Sequence, residues 1–372
     1  MTSPHDWTLI VSGGGSGGHL FPALAVIEEL LSRNSAPAKI LFLTAERSID
    51  QTVLNSFSPR LQAQQVALPA IDSGMLLRNP FAALWRTADT IRSARKILKA
   101  EKNPVVLATG GYGSIPGGIA AWRNKVPVIL LEQNVIHGRA TSLLARIATK
   151  ICASFPETSL QSRYPNKTFF TGNPVRNNIT QLIHNKEIEK RRTILVLGGS
   201  QGAKAINQAM MAFAKEHHQL LTDWNVIHHT GETDCPQVHS VYEEYGINAD
   251  VSPFFNNIAE LYSRAALVVS RAGGTSLAEI ACAGIPAILV PYPKSIRDHQ
   301  QKNAQFYVDA GAAIYIPQTR PDFTLAFAEE LQRLLNDTTA REQLSIAMHS
   351  LAQKNAAQRV VEMIDSLRGN QI

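Results

Sequence analysis

Short apolar runs alternate with amphipathic stretches along almost the whole chain. Runs of three or four apolar residues without polar alternation are typical of strands buried on both faces of a parallel sheet. Such runs predict strands in both halves of the chain. The predicted strands are residues 9–11, 40–43, 105–108, 128–131 and 151–153, then 194–197, 226–228, 267–270, 287–290 and 313–316.

Helical periodicity fills the intervals between these strands. Residues 20–31 and 141–148 carry apolar side chains at helical spacing, which predicts helices packed on a sheet. The alternation indicates an α/β fold with parallel sheets and right-handed crossovers. The alternation starts twice, and 372 residues are more than one domain with a single core usually contains. We therefore predict two Rossmann-like, doubly wound domains that face a cleft.

Glycine and proline interrupt the pattern at residues 172–174, and a charged stretch without apolar period follows. We therefore predict an N-terminal domain over residues 1–171 and a C-terminal domain over 172–350. Residues 351–372 predict one more helix. Its pattern fits packing on either domain, and we expect it to pack back toward the N-terminal one.

A glycine-rich loop follows the first strand of each series, at residues 13–19 and 198–203. Backbone N–H groups at such a helix N-terminus can bind a pyrophosphate. The first loop has the Gly-x-Gly-x-x-Gly spacing of dinucleotide sites, but Glu46 lies 28 residues past Gly18, and the ribose ligand is expected after about 20. The second loop lacks the Gly-Lys-Ser/Thr ending of a P-loop, which disfavours kinase or ATPase chemistry.

Two side chains at these turns can carry chemistry. His19 lies at a helix N-terminus, where the dipole favours a neutral ring that could accept a proton from an attacking hydroxyl; capping the turn is the plain alternative. Glu279 follows a third glycine turn, at Gly273 and Gly274. Its carboxylate could accept a ribose diol or simply complement its helix N-terminus.

Composition narrows the class of protein. The three cysteines show no Cys-x-x-Cys spacing, which disfavours a zinc site or a disulfide framework and fits a reducing cytoplasm. We find no signal peptide and no apolar run near the roughly 20 residues that span a bilayer.

The basic charge is concentrated in the first half. Residues 1–171 hold 18 Lys/Arg against 10 Asp/Glu, whereas residues 172–372 hold 18 against 20. Segment 75–99 has six basic residues, Asp89 as its one acidic residue, and Trp85. It predicts a helix beginning at Asn79-Pro80 that either lies on an anionic membrane surface or packs into its own domain. No nucleic acid partner is expected, because stacking aromatics are not interleaved with the basic residues.

Seven short motifs occur in one order along essentially the whole chain. They are residues 14–25 (GGSGGHLFPALA), 110–118 (GGYGSIPGG), 132–134 (EQN), 172–176 (GNPVR), 198–203 (GGSQGA), 271–279 (RAGGTSLAE) and 299–304 (HQQKNA). Together they resemble the MurG family, the bacterial transferases that add N-acetylglucosamine to a lipid-linked muramoyl-pentapeptide.

This resemblance implies a GT-B arrangement and an inverting transfer from UDP-N-acetylglucosamine to undecaprenyl-pyrophosphoryl-muramoyl-pentapeptide (lipid I). The product would be the β-1,4-linked disaccharide lipid II of peptidoglycan synthesis. It also implies a peripheral protein on the cytoplasmic face of the bacterial inner membrane. No cofactor is expected, and no metal, because the chain lacks an Asp-x-Asp motif of the kind that binds Mn²⁺ or Mg²⁺ in metal-dependent sugar transferases.

The resemblance also implies site residues. The general base would be His19, with Glu132 as its competitor. Arg176 and Ser200 would contact the diphosphate, Phe255 the uracil through its backbone, Glu279 the ribose, and Asn134 and Gln300 the sugar. The turn of Gly274, Thr275, Ser276, Leu277 and Ala278 would line the phosphates, while Ser16, Gly17 and Gly18 would close over the donor or bind the acceptor pyrophosphate.

Some positions depart from the family pattern, and other functions stay open. Leu131 stands where the family often has a histidine, which argues against a required histidine there. Ile115 replaces a more usual glycine in the loop 110–118. Alternatives are another GT-B enzyme that uses a UDP-sugar, such as an epimerase or a different transferase, and a non-catalytic basic membrane-associated module. The loop 110–118 favours the cell-wall enzyme.

Overall fold

The structure is a computed structural model that describes residues 6–14, 17–33, 36–45, 63–68, 80–182, 191–199 and 202–369. The chain divides into two compact units. The first comprises Met1–Arg176 and Lys354–Ile372, and the second is the continuous stretch Asn177–Gln353. The chain thus leaves the first unit and returns to it.

In the first unit, the described residues form a parallel sheet in the order β3-β2-β1-β4-β5-β6-β7. Its strands are β1 Thr8–Ser12, β2 Lys39–Ala45, β3 Ala63–Leu68, β4 Pro104–Ala108, β5 Val128–Glu132, β6 Lys150–Ala153 and β7 Thr168–Phe170. Its helices are α1 Gly17–Leu31, α2 Pro80–Ala100, α3 Ile115–Arg123, α4 Arg139–Ile147 and α5 Ser159–Arg163.

The second unit repeats this design with the strand order β10-β9-β8-β11-β12-β13. Its strands are β8 Thr193–Leu197, β9 Asn225–His229, β10 Ala249–Ser252, β11 Leu267–Ser270, β12 Ala287–Leu289 and β13 Ala313–Tyr315. Its helices are α6 Asn177–Thr180, α7 Lys204–His217, α8 Cys235–Glu244, α9 Ile258–Arg264, α10 Gly274–Ala283, α11 His299–Asp309, α12 Phe323–Asn336 and α13 Thr338–Ser350.

Successive strand residues build two cores in the first unit, one on each face of its sheet. Leu9 and Val11 lie in one core and Ile10 in the other, because side chains alternate along a strand. The final helix, α14 Ala356–Gly369, packs on α1 and buries Val360, Val361 and Ile364 in the first of these cores.

The apolar runs predicted both sheets, and the predicted α/β fold is confirmed. All the predicted strands are present, but β3, β7 and β10 were missed. Each of the three lies at an edge of its sheet. Edge strands are covered on fewer sides, so their sequences need no continuous apolar run; β10, for example, is nowhere fully buried.

Strand order fixes where ligands can bind. In each sheet the direction of winding reverses between neighbouring strands, β1 and β4 in the first unit and β8 and β11 in the second. Ligands of doubly wound sheets bind outside the carboxyl ends of the strands at this reversal. The glycine turns that follow β1 and β8 lie there.

Candidate active site

The first glycine turn lies where the ends of β1, β2 and β4 meet. The Thr109 N–H donates to the Ser12 carbonyl at 3.0 Å and the Gly13 N–H to the Leu43 carbonyl at 3.4 Å. Gly13 has φ +152°, and a Cβ there would come within 1.9 Å of Thr109 Oγ1. Only glycine allows this close approach of the turn to the neighbouring strand.

His19 is held at this turn by backbone on several sides. Its Nδ1 lies 2.9 Å from the Thr109 carbonyl oxygen, and a carbonyl only accepts hydrogen bonds, so Nδ1 carries the proton. Gly110 and Gly111 have left-handed φ values, and a Cβ on either would lie 3.2–3.3 Å from the imidazole. In the neutral ring Nε2 therefore carries the lone pair, which is the form a general base needs.

Glu132 has a different environment from His19. It ends β5 and is buried. Its Oε1 accepts hydrogen bonds from the Asn134 backbone N–H and from Asn134 Nδ2, both at 3.0 Å. The Thr141 hydroxyl and the Gly138 N–H also donate to the carboxylate, while burial is the stronger effect and raises the pKa of Glu132. The carboxylate thus organises its own loop and orients Asn134.

Arg176 lies with α1 in the first unit. It is buried, and its guanidinium carbon lies 4.1 Å from the centre of the Phe21 ring. Arg176 was predicted in the C-terminal domain, but the first unit runs to Arg176, and Thr171 and Gly172 still bond to the Ala153 carbonyl at the end of β6. Gly17 and Gly18 open α1 one turn before Phe21.

The second glycine turn packs on the end of β9. The Gly198 N–H donates to the His229 carbonyl at 3.1 Å. Gly202 has φ +76°, and a Cβ there would come within 2.1 Å of the Thr230 carbonyl oxygen. The turn leads into α7, as the sequence predicted, so the N-terminus of this helix lies at the winding reversal of the second sheet.

The third glycine turn opens α10 directly after β11. Glu279, in the second turn of the helix, is buried and accepts a hydrogen bond from the Tyr262 hydroxyl at 3.2 Å. Leu277 points into the apolar core and is fully buried, so it can reach a ligand only through its backbone. Gly274 and Thr275 are buried, whereas Ser276 and Ala278 are half-buried.

Two further predicted donor contacts lie in the second unit. Gln300 stands in the first turn of α11, where its Oε1 accepts a hydrogen bond from the Tyr292 N–H at 2.9 Å. Phe255 is half-buried and follows β10. The centre of the His229 ring lies 5.8 and 6.3 Å from the centres of the Phe254 and Phe255 rings, in edge-on contact. The segment predicted to contact uracil therefore packs against the end of β9.

Comparison with known proteins identifies the family. Residues 9–153 match the glycosyltransferase family 28 N-terminal domain, and residues 193–362 match its C-terminal domain. The UDP-N-acetylglucosamine–N-acetylmuramyl-(pentapeptide) pyrophosphoryl-undecaprenol N-acetylglucosamine transferase of Geobacter sulfurreducens is 36% identical over 97% of this chain and 99% of its own. The transferase of the same name from Desulfotalea psychrophila is 35% identical over 96% of both chains. The chain belongs to the MurG family.

Solved structures agree with the MurG assignment. The crystal structure of Acinetobacter baumannii MurG matches with a TM-score of 0.74 and 28% identity, covering 97% of this chain and 99% of that one. The UDP-GlcNAc 2-epimerase of Neisseria meningitidis matches with a TM-score of 0.68 but only 17% identity over 96% and 99% of the two chains, so it shares the fold alone. The fold is therefore of the GT-B type, and this MurG-family chain is a glycosyltransferase.

The predicted site residues of this MurG-family chain divide between the two units. His19, Glu132, Asn134, Gly17, Gly18 and Arg176 belong to the first unit, and Phe255, Glu279, Gln300 and the turn 274–278 to the second. Ser16 and Ser200 lie outside the described residues. Leu131, where the family often has histidine, is buried core in β5.

Two residues that contact predicted site segments were given no role from the sequence. The Thr109 carbonyl fixes His19, and only the pairing of β1 with β4 brings the two together. Arg271 follows β11 and donates from Nη1 to the Val290 carbonyl at 2.8 Å; burial lowers its pKa. Arg271 opens the motif 271–279, and its guanidinium carbon lies 5.6 Å from the centre of the Tyr292 ring.

Proposed function

We propose that the protein transfers N-acetylglucosamine from UDP-N-acetylglucosamine to the muramyl sugar of a pyrophosphoryl-undecaprenol pentapeptide acceptor, forming a β-1,4 linkage. The donor, the transferred sugar and the acceptor are those in the names of its near-full-length relatives, and the β-1,4 linkage is what the family resemblance implies. The observation that carries the proposal is the pair of glycine turns at winding reversals. One turn holds His19 as an Nδ1-protonated ring, and the other opens a helix next to the end of β9, where Phe255 packs.

The second unit binds the donor in this proposal. Glu279 accepts the ribose hydroxyls, and the first turn of α10 directs backbone N–H groups at the diphosphate, whose leaving-group charge they stabilise. Phe255 contacts the uracil through its backbone, and Gln300 contacts the sugar. Ser200 adds a donor to the diphosphate. Arg176, which belongs to the first unit, is also proposed to contact it, because a guanidinium can form two parallel bonds to phosphate.

The first unit supplies the acceptor side and the base. His19 Nε2 removes the proton of the acceptor hydroxyl as that oxygen attacks the anomeric carbon, and the bond to the UDP oxygen breaks on the opposite face. Gly17, Gly18, Ser16 and the loop 110–118 contact the acceptor pyrophosphate or close over the donor. Asn134, held by Glu132 at 3.0 Å, contacts the transferred sugar.

A coupled assay tests the proposed reaction. The purified protein is incubated with UDP-N-acetylglucosamine and a short-chain muramoyl-pentapeptide pyrophosphoryl lipid, while UDP and the disaccharide lipid are measured together. We expect both to appear in equal amounts and only when the lipid is present. Donor binding without transfer to this lipid would contradict the proposed acceptor, and UDP release without lipid would indicate hydrolysis or epimerase-like chemistry.

We also propose that α2 and α3 form a surface that contacts an anionic membrane on its cytoplasmic face. Trp85 is 72% exposed and Trp122 is 55% exposed. The opposite side of α2 packs into the core through Ile91, Ala94 and Leu98, so packing into its own domain leaves the face of Trp85 available for the proposed membrane contact. The predicted start at Asn79 and the side chains of Phe81 and Leu84 lie outside the described residues.

Basic residues surround these two tryptophans. Arg92 lies two helical turns after Trp85 on the same face of α2, with its guanidinium carbon 5.7 Å from the centre of the Trp85 ring. Lys96 and Lys99 continue this face of α2, and Arg123 and Lys125 follow Trp122; all four are exposed. Aromatic rings among cations suit the interface of an anionic leaflet. Within the described ranges, no helix combines the length and the apolarity needed to cross a bilayer.

Vesicle binding tests this surface. We expect the double variant Trp85→Ser, Trp122→Ser to lose at least about tenfold in affinity for vesicles containing anionic lipid, since each ring buries apolar area in the interface. Leu325→Ser is the control, because Leu325 is also exposed (60%) but belongs to the second unit. Equal co-sedimentation of all three proteins at low salt would rule out this surface.

A further inference from the structure

Two side chains from different elements donate to one buried carbonyl. The Thr109 carbonyl oxygen accepts from His19 Nδ1 at 2.9 Å and from Gln133 Nε2 at 2.9 Å. Thr109 and Gln133 are almost completely buried. The three groups come from the start of α1 and the ends of β4 and β5, which are adjacent where the sheet runs β1-β4-β5.

The geometry fixes the carbonyl from two directions. A carbonyl oxygen has two lone pairs, and here one faces His19 and the other faces Gln133. An amide can donate in this position, whereas a carboxylate in place of Gln133 would set oxygen against oxygen. The direction of the Thr109 carbonyl, and with it the orientation of the imidazole, therefore depends on the Gln133 amide.

The neighbouring Glu132 carboxylate binds Asn134 and not the Thr109 carbonyl. Glu132 directs its Oε1 to Asn134 at 3.0 Å, and Gln133, the next residue, directs its amide to Thr109. Consecutive residues of an extended chain point to opposite sides. One residue of the pair thus shapes the loop that carries Asn134, and the other acts on the group that contacts His19.

We propose that Gln133 is a positioning residue for the transfer reaction: it holds the Thr109 carbonyl so that His19 keeps its Nδ1-protonated tautomer and presents Nε2 to the acceptor hydroxyl. The proposal rests on the proposed role of His19 as the base. Tautomer control is a large effect in hydrolases whose histidine is oriented by an acceptor group, where its loss costs up to about 10⁴-fold in kcat. A neutral carbonyl that keeps its bond to His19 retains part of this control, so the effect here is smaller.

Gln133→Met tests the proposal, because it keeps the length of the side chain and removes the donor. We expect kcat to fall roughly 10–100-fold while the KM for the donor changes less than about twofold. The midpoint of thermal unfolding should change little, since methionine has nearly the same volume as glutamine. Gln161→Met makes the same chemical change on the exposed side of α5 and should leave kcat unaltered.

Nitrogen NMR of histidine-labelled protein reads the tautomer directly, whatever the activity. His19→Gln identifies the His19 signals among the eleven histidines. We expect the Nδ1–H form in the wild type and a mixture of both tautomers in Gln133→Met. An unchanged tautomer, or a changed tautomer with wild-type kcat, would overturn the role of Gln133.

The same experiment separates this inference from the proposed function. If the wild type transfers no sugar, the proposed reaction fails, whereas the tautomer measurement still reports on the geometry around Thr109. If His19→Gln retains wild-type kcat, His19 is not the base, and the catalytic role of Gln133 is overturned even if the tautomer shifts.

Discussion

Replacing His19 with alanine is expected to lower kcat roughly 10²–10⁴-fold, the contribution typical of a positioned general base. The ring stands at a helix N-terminus, its Nδ1–H is bound to the Thr109 carbonyl at 2.9 Å, and its other nitrogen is left as the basic atom. The loss should appear in kcat under saturating donor and acceptor. It is measured by UDP release coupled to formation of the disaccharide lipid.

Glu132→Gln is the comparison that decides between the two candidate bases. The Glu132 carboxylate accepts two bonds from Asn134 and others from Thr141 and Gly138. Its loss should therefore disturb the position of Asn134 and cost less in kcat than the loss of His19. Near-normal turnover in His19→Ala together with an inactive Glu132→Gln would show that Glu132 is the base.

Replacing Gly202 with alanine is expected to have the largest effect on donor binding. The new Cβ would lie 2.1 Å from the Thr230 carbonyl oxygen, and the residue would keep a φ of +76°. Overpacking costs about 1–3 kcal/mol, and a left-handed conformation costs a further 1–2 kcal/mol or so. The turn must move, so we expect the Kd for UDP to rise at least tenfold or so.

Gly311→Ala is the matched control for this substitution. Gly311 has a similar φ of +67°, but no atom lies within 4 Å of its added Cβ. It follows the end of α11, whereas Gln300 lies in the first turn of that helix. Calorimetry with UDP should give a near-normal Kd for this variant, with a loss of unfolding free energy of about 1 kcal/mol. A normal Kd in Gly202→Ala would show that the turn does not contact the nucleotide.

Prediction from sequence succeeded where one local pattern decides the structure. Buried strands such as β8 must be apolar on both faces, and glycine turns such as that of Gly199 and Gly202 must allow left-handed φ. Both requirements are visible in the sequence, as an apolar run and as a glycine-rich turn. The edge strand β10 leaves a weaker mark because much of it stays half-buried or exposed. The resemblance added the family, which the near-full-length relatives confirm.

Details of the candidate site depend on which strands are neighbours, and local pattern does not contain that information. His19 and Thr109 are 90 residues apart and meet because β1 pairs with β4. The distinction between Glu132 and Gln133 depends on which partner each side chain reaches, although the two residues are adjacent in sequence. The roles of the predicted donor contacts stay predictions.

The packing of α14 on α1 has a consequence for biosynthesis. The core beneath α1 includes Val360, Val361 and Ile364, which leave the ribosome only after the whole of Asn177–Gln353 has been made. Chains fold domain by domain as they emerge. The second unit is made as one continuous stretch, whereas the core of the first unit lacks three of its apolar side chains until the end of the chain has been released.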